Sequence, residues 1–362
     1  MSEGKRWQEA DVLRGMAILM VLLYHSIIVF PLNLHVIERY RILHTFLWTV
    51  QMPLFFLVSG FCYSYDGNYR AYAWKKCRRI LIPHIVFSAL DIVPRLIPNP
   101  FVHEQMEAGE AIRDFVLYGG SDWFLWTLFV IVMVYPAFDY MCKGPAGMRK
   151  VAIFSVIALF LLKPVMPDLF LLNMVSQYLL YFFLGYGVRR KLDSQEDGKG
   201  YAALAGTNGK SDRQARKKGV GRIVIAAGQR KYMLLTGLLG MPFFFRQVLI
   251  WDGSGSVPGM IAELLCVFCS FLVLIPLAGM CRGRISAFFV CCGKWSLQMY
   301  LLDAYALVLT RTLLVNVWGI RLPWLIVMGN FLADTLIVLL LSKYILTKAK
   351  VFRIACGIPE KG

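Results

Sequence analysis

Two residues in the first apolar stretch, EADVLRGMAILMVLLYHSIIVFPL, are chemically unusual for that setting. Arg14 stands near its start and His25 deep inside it. Ionisable side chains are costly in hydrocarbon, so they usually face a protein interior or a water-filled cavity. On a helix, eleven residues at about 100° and 1.5 Å each place these two side chains within about 20° of one another and about 16 Å apart.

The chemistry of this pair is that of a base and an anion-binding group. An imidazole titrates near neutral pH and takes a proton from a hydroxyl, whereas a planar guanidinium binds phosphate or carboxylate. We therefore predict that His25 is catalytic and that Arg14 is its partner, held by Asp11 three residues earlier. The alternative is an interfacial arginine and a histidine that packs against a neighbouring carbonyl.

A second group of cations follows the next apolar stretch. It contains Lys75, Lys76, Arg78 and Arg79, which we expect on the same side of the membrane as Arg14. Five cations together would hold a polyphosphate, such as the nucleotide end of coenzyme A. The alternative is ordinary positive-inside anchoring by this loop.

The composition identifies the elements that must position these residues. Of the 362 residues, 58% are apolar and 17% are charged, whereas soluble domains carry about 25% charged residues. The apolar runs are continuous, which favours helices over an alternating membrane barrel. We predict an all-α, polytopic membrane protein with about ten transmembrane helices, at 12–31, 45–64, 80–98, 123–141, 151–167, 169–188, 232–250, 259–280, 286–308 and 323–342.

The net charge of +17 sets the orientation. Of the 39 Lys and Arg residues, 29 fall at the termini or in every second connection and six, including Arg311, in the alternate connections. The positive-inside rule then places both termini in the cytoplasm. The positive-inside rule thus accounts for the excess of basic residues, and we expect no nucleic-acid partner. The expected partner is the lipid bilayer of a cell membrane. The bacterial plasma membrane is the expected location.

One composition break interrupts an otherwise single membrane domain at 1–350. Residues 189–231 are rich in Gly, Ser and charge, which predicts a mobile basic cytoplasmic loop. Residues 351–362 are predicted to be a short cytoplasmic tail. The cysteines have no histidines at metal-ligand spacing, so we predict no metal site.

Four sequence segments, in this order, resemble the integral membrane acyltransferase 3 family, including its fucose O-acetylase-like members: DVLRGMAILMVLLYHS, MPLFFLVSGFCYS, KKCRRILIPH and GKWSLQMYLLDAY. The resemblance implies transfer of an acyl group, commonly acetyl from cytosolic acetyl-CoA, to a hydroxyl of a carbohydrate or other acceptor at the outer face. It also implies that His25 is the catalytic residue, with Arg14 near the donor. Many relatives have a histidine where this chain has Asp303, and a carboxylate there would either bind the acceptor or lower activity.

The reaction predicts further roles. Acyl-CoA would be a co-substrate with no permanently bound cofactor, and its phosphates would stay on the cytosolic side because they cannot shed their hydration. The developing oxyanion needs a donor, for which Tyr24, Ser59 and Trp123 are candidates, while Arg246 would contact an anionic acceptor. Direct transfer and an acyl-histidine intermediate are both open. The alternative function is a proton-coupled secondary transporter or exporter, with His25, Asp303 and Glu263 as relay groups.

Overall fold

In a computed structural model the chain is almost entirely helical. The structure describes residues 6–28, 34–96, 107–120, 122–203, 220–221, 227–251 and 256–358. Its first helices are α1 Gln8–Ile28, α2 Glu38–Phe61, α3 Tyr69–Lys76, α4 Ile82–Arg95, α5 Ala108–Tyr118, α6 Trp123–Lys143, α7 Ala146–Leu162 and α8 Leu172–Ala203. The later helices are α9 Ala227–Ile250, α10 Val257–Met280, α11 Gly283–Lys294, α12 Ser296–Thr312, α13 Pro323–Leu340 and α14 Lys350–Ala355.

Short elements complete the described chain. Single 3₁₀ turns lie at Leu34–Val36, Lys163–Val165 and Leu169–Leu171, and π-helical turns at Cys77–Leu81, Leu313–Val317 and Leu341–Ile345. Two-residue strands, β1 Arg6–Trp7 and β2 Val220–Gly221, pair in parallel. Of these elements, the π turn at Cys77–Leu81 carries two predicted donor-binding arginines, and π turns are frequent at functional sites.

The all-α, polytopic membrane fold is confirmed. Eight helices in the described residues are long and apolar enough to cross a membrane. The predicted spans 80–98 and 151–167 correspond to the shorter helices α4, of 14 residues, and α7, of 17 residues. Ten spans and cytoplasmic termini stay predictions.

The predicted ninth span, 286–308, is wrong in its boundaries. Two helices occupy it, because the backbone of Trp295 (φ −103°, ψ 10°) leaves helical geometry between α11 and α12. The apolar span begins at Ser296 and continues through the π turn to Val317. Arg311, predicted to lie in an outer connection, is consequently inside this span.

The described residues form two compact units. The first comprises Met1–Ser64 and Tyr181–Leu339, and the second comprises Tyr65–Leu180 and Leu340–Gly362. Arg14, His25 and Asp303 belong to the first unit, whereas the Lys75–Arg79 cluster belongs to the second. The prediction of one domain over 1–350 stays a prediction.

In the first unit, α1 is surrounded by α2, α11 and α12. Ala17, Ile18, Val21 and Leu22 of α1 are fully buried. Acidic Glu9 in its first turn suits the positive end of the helix dipole. These contacts fix the rotation of α1 and hence the direction of its polar side chains.

Two glycines allow α1 and α11 to cross backbone to backbone. A Cβ atom on Gly15 would lie 2.1 Å from the Phe289 carbonyl oxygen, and one on Gly293 would lie 1.9 Å from the Asp11 carbonyl oxygen. Small residues at such crossings are the usual means by which membrane helices approach closely. The contact at Gly293 places α11 directly against the turn that carries Asp11 and Arg14.

Two ring contacts fix the antiparallel register of α1 and α2. The ring centroids of Trp7 and Phe61 are 5.4 Å apart, and at the opposite ends of these helices Tyr24 stacks on His44 with centroids 4.1 Å apart. Residues near 44 therefore lie level with His25, whereas residues near 60 lie level with the start of α1.

In the second unit, the Asn68 side chain caps α3 by accepting from the Ala71 amide at 3.1 Å. The described residues of the predicted cytoplasmic tail at 351–362 form α14, which packs on α4. Cys356 is buried there, and burial raises the pKa of its thiol to about 11. Gly357, at φ +66°, lies against the Arg79 backbone, a position a larger residue could not occupy without displacement.

The predicted loop at 189–231 begins later than expected. Helix α8 continues to Ala203, supported by the Arg189–Asp193 ion pair at 2.7 Å, one helical turn apart. Residues 204–219 and 222–226 of that loop lie outside the described residues.

Candidate active site

The His25 imidazole forms a hydrogen bond through Nδ1 with the Asp303 carboxylate. Asp303 lies on α12 and its side chain is only 1% exposed, whereas the His25 side chain is 31% exposed. An ionised carboxylate only accepts hydrogen bonds, so with Asp303 ionised the donor in this bond is Nδ1, and a neutral imidazole then keeps its lone pair on Nε2. The buried carboxylate thus orients a partly accessible imidazole, as in hydrolases that use an acid–histidine pair.

A series of aromatic and imidazole rings in mutual contact begins beside His25. The Tyr24 ring centroid lies 5.2 Å from that of His25 and 5.5 Å from that of Trp48. His44 stacks on Tyr24, and His35 meets His44 edge-on with centroids 4.7 Å apart. We call Tyr24, His35, His44 and Trp48 the aromatic wall; all four are partly exposed.

Behind Asp303, α12 and α13 join through buried polar pairs. The Asp334 carboxyl group lies beside that of Asp303. Further along these antiparallel helices, the Thr310 hydroxyl hydrogen-bonds the Asn330 side-chain oxygen. Asp334 and Asn330 are one helical turn apart and both are fully buried, so they share the face of α13 that meets α12.

Arg311 ties α12 to the turn of α1 that bears His25. Its side chain is fully buried, and Nη2 donates to the Ser26 carbonyl oxygen at 2.5 Å. A buried guanidinium is costly unless its donors are satisfied, so this bond is a strong restraint on the backbone next to His25. Two residues of α12 therefore contact the turn of α1 that carries His25: Asp303 contacts the imidazole, and Arg311 contacts the backbone carbonyl of Ser26.

Arg14 lies on the same continuous helix as His25, as predicted. Its guanidinium Nη1 is 4.0 Å from Asp11 Oδ1, so the predicted pairing with Asp11 is confirmed. The Arg14 side chain is 30% exposed and the Asp11 side chain 11% exposed. Asp11 therefore restrains a guanidinium that keeps part of its surface available for an anion.

The predicted donor-binding cations in the second unit are carried by α3 and the following π turn. Lys75 and Arg79 are exposed, and Lys76 and Arg78 are partly exposed. The Lys76 ammonium lies over the Tyr72 ring, 5.2 Å from its centroid. Burial raises the pKa of the Tyr72 phenol above its ordinary value, so it stays neutral beside these cations. Their convergence with Arg14 stays a prediction.

The remaining candidates fall in different places. Ser59 is fifteen residues beyond His44 on α2, about 22 Å along the axis, so it is too far from His25 to stabilise an oxyanion there. Arg246 is exposed on α9. Trp123 lies in the second unit, with its ring 5.5 Å from that of Tyr178. Glu263 is buried on α10.

A family model described as an acyltransferase domain matches residues 7–343. The chain belongs to the acyltransferase 3 family. No curated protein and no solved structure matches it. The match spans every helix that carries the site, from Arg14 to Asp334, so this is a membrane acyltransferase.

For this acyltransferase, the structure gives Asp303 a partner that the sequence did not predict. The sequence left open whether this carboxylate binds the acceptor or lowers activity; in the structure it contacts His25 and is almost fully buried. An acceptor-binding role for Asp303 stays a prediction. Asp303, the residue at which this chain differs from the family motif, is thus the hydrogen-bond partner of His25.

Four residues near His25 were not assigned a role from sequence: His35, His44, Trp48 and Arg311. His44 lies one residue before the predicted second span, 45–64, where an aromatic belt is expected anyway, and its stacking partner lies twenty residues away. Arg311 was attributed to a connection because the span was placed nine to ten residues too early. The mostly apolar run LLVNVW, which begins two residues after Arg311, was the available signal.

Proposed function

We propose that this membrane acyltransferase moves an acyl group, specifically acetyl, from cytosolic acetyl-CoA to a hydroxyl of a carbohydrate at the outer face. The observation that carries the proposal is the His25–Asp303 hydrogen bond. It leaves Nε2 as the proton acceptor on a partly exposed imidazole within a membrane-spanning helix. A base oriented in this way is what activation of an alcohol requires.

The chemical step needs only one proton relay. The acceptor hydroxyl gives its proton to His25 Nε2 while its oxygen attacks the thioester carbonyl. The carbon–sulfur bond then breaks, and the proton passes to the departing thiolate to give free coenzyme A. General-base help of this kind contributes about 10²–10⁴-fold, and Asp303 stabilises the imidazolium formed in between.

An oxyanion forms on the thioester carbonyl during attack, and it requires a donor near His25. Of the three candidates, Tyr24 is the one whose ring contacts the His25 ring, with centroids 5.2 Å apart. We therefore assign the oxyanion donor to the Tyr24 phenol. The same ring belongs to the aromatic wall, where a flat apolar face suits the stacking of a sugar ring.

The donor side is proposed to be the N-terminal half of α1. Acetyl-CoA cannot cross lipid because its phosphates would lose their hydration, but its pantetheine arm is thin enough to extend along α1 toward His25. Arg14, about 16 Å along the axis from His25, would contact the phosphate end, with Lys75, Lys76, Arg78 and Arg79 as further contacts. This polarity requires both termini in the cytoplasm of a bacterial plasma membrane.

A sidedness assay tests this function against a proton-coupled transporter. Inside-out vesicles from cells that produce the protein receive acetyl-CoA with a radiolabelled acetyl group at their exposed cytosolic face. An acetyltransferase places label in alkali-labile esters of lumenal glycans and releases free coenzyme A. A transporter gives proton-gradient-dependent solute uptake without labelled esters, and that result would exclude the proposal. Vesicles from cells lacking the protein give the background.

A further inference from the structure

The carboxyl groups of Asp303 and Asp334 form a buried pair whose second member the acyl-transfer mechanism does not use. Asp303 is 1% exposed and Asp334 is fully buried. They lie side by side across α12 and α13. Apart from the neighbouring Asp303 carboxyl group, neither oxygen of Asp334 has a hydrogen-bond partner in the described part of the chain.

Two adjacent carboxylates in a low-dielectric interior do not both stay ionised, because their mutual repulsion adds to the cost of burying each charge. One of them must hold a proton. Asp303 accepts a hydrogen bond from His25, which favours its ionised form. Asp334 has no comparable donor among the described residues, so the proton belongs on Asp334.

We propose that Asp334 is a positioning residue that remains protonated and donates a hydrogen bond to Asp303, so that one proton shared by the two carboxyl groups holds Asp303 against His25 as an anion. This series of hydrogen bonds links His25 on α1 to Asp303 on α12 and Asp303 to Asp334 on α13. Further along the same two helices, Arg311 of α12 donates to the Ser26 carbonyl oxygen and Asn330 of α13 accepts from Thr310. No proton leaves the pair during turnover, so its task is to fix the direction and charge of the carboxylate.

This inference predicts that the same substitution, aspartate to asparagine, has a small effect on kcat at Asp334 and a large one at Asp303. Asparagine has the shape of a protonated aspartic acid and retains a donor. Asp334→Asn should therefore lower kcat no more than about threefold, whereas Asp303→Asn should lower it by about 10²-fold or more, with the KM for acetyl-CoA little changed. Asp334→Ala, which removes the donor, should lower kcat about tenfold or more. Gel filtration and thermal unfolding in detergent verify that each variant folds.

The kinetic comparison rests on the proposed acyl transfer, so an infrared measurement accompanies it. Purified wild-type protein at neutral pH should show the carbonyl stretch of a buried protonated carboxylic acid, shifted in D₂O. That band should be missing from the spectrum of Asp334→Asn. This readout needs no substrate, so it tests the shared proton even if the acyl donor is assigned wrongly.

Two results would overturn the inference. An Asp334→Asn variant that folds but loses as much kcat as Asp303→Asn would show that Asp334 works as an anion. A wild-type spectrum in which the substitution removes no protonated carboxyl band would show that the proton is elsewhere. If the wild-type protein transfers no acetyl group but shows a carboxyl band that Asp334→Asn lacks, the proposed function is wrong and the shared proton is confirmed.

Discussion

His25 on the first helix and Asp303 on α12 are 278 residues apart in the chain, yet their side chains form a direct hydrogen bond. The bond joins a partly exposed base to a carboxylate that is 1% exposed. The geometry follows from the packing of α1 between α2, α11 and α12.

Arg14 is expected to act on the donor. Replacing it with alanine removes the guanidinium that Asp11 restrains, so the KM for acetyl-CoA should rise about tenfold while kcat falls less. Initial rates over a range of acetyl-CoA concentrations measure this. Arg149→Ala, on exposed α7, is the control and should keep wild-type kinetics. An unchanged KM for acetyl-CoA in Arg14→Ala would show that Arg14 does not bind the acyl donor.

Tyr24 is expected to stabilise the oxyanion through its hydroxyl. Tyr24→Phe keeps the ring stacked on His44 and removes only the donor, so kcat should fall by about 10²-fold. Ser59→Ala serves as the comparison, because Ser59 lies level with the start of α1, and it should retain kcat. A Tyr24→Phe variant with wild-type kcat would show that a group other than the Tyr24 hydroxyl donates to the oxyanion.

The crossing of α1 and α11 should tolerate no added methyl group. Gly15→Ala places a Cβ 2.1 Å from the Phe289 carbonyl oxygen, so we expect a loss of about 1–3 kcal/mol in the free energy of unfolding. Gly279→Ala, on α10, meets no atom within 4 Å and should be neutral or slightly stabilising. Denaturant titrations in mixed micelles compare the two. Equal stabilities would contradict the close crossing.

Arg311 should contribute to stability because its guanidinium is buried. Arg311→Lys removes the planar fork that reaches the Ser26 carbonyl, and the free energy of unfolding should fall by about 2 kcal/mol. The matched change Arg41→Lys affects an ion pair with Glu38 on an exposed surface and should leave the free energy of unfolding nearly unchanged. The same micelle titrations report both. Comparable losses in the two variants would mean that Arg311 is not a restraint.

The local parts of this site could be predicted from sequence because they depend on one helix. The shared face of Arg14 and His25 follows from eleven residues of helical spacing, and the Asp11 partner follows from a spacing of three. The apolar runs gave the helical membrane class for the same reason. These features need no knowledge of which helices are neighbours.

The features that could not be predicted depend on packing between distant segments. Asp303 was recognised as an unusual intramembrane carboxylate, but hydropathy does not say which helix faces it, so its contact with His25 was missed. The break at Trp295 was also missed, because only a short polar stretch around Lys294 and Ser296 separates two apolar segments that together have the length of one span. Misplacing that boundary moved Arg311 into a connection and hid a buried cation.

The most direct test of the account is the rate of acetyl transfer by purified wild-type and His25→Gln protein in liposomes that trap radiolabelled acetyl-CoA, with glycan extract outside. Glutamine keeps a polar side chain but cannot accept and return a proton, so alkali-labile labelled ester should fall by about 10²-fold or more while the protein stays folded by gel filtration. A folded His25→Gln protein that transfers acetyl groups at the wild-type rate would contradict the claim that His25 is the base.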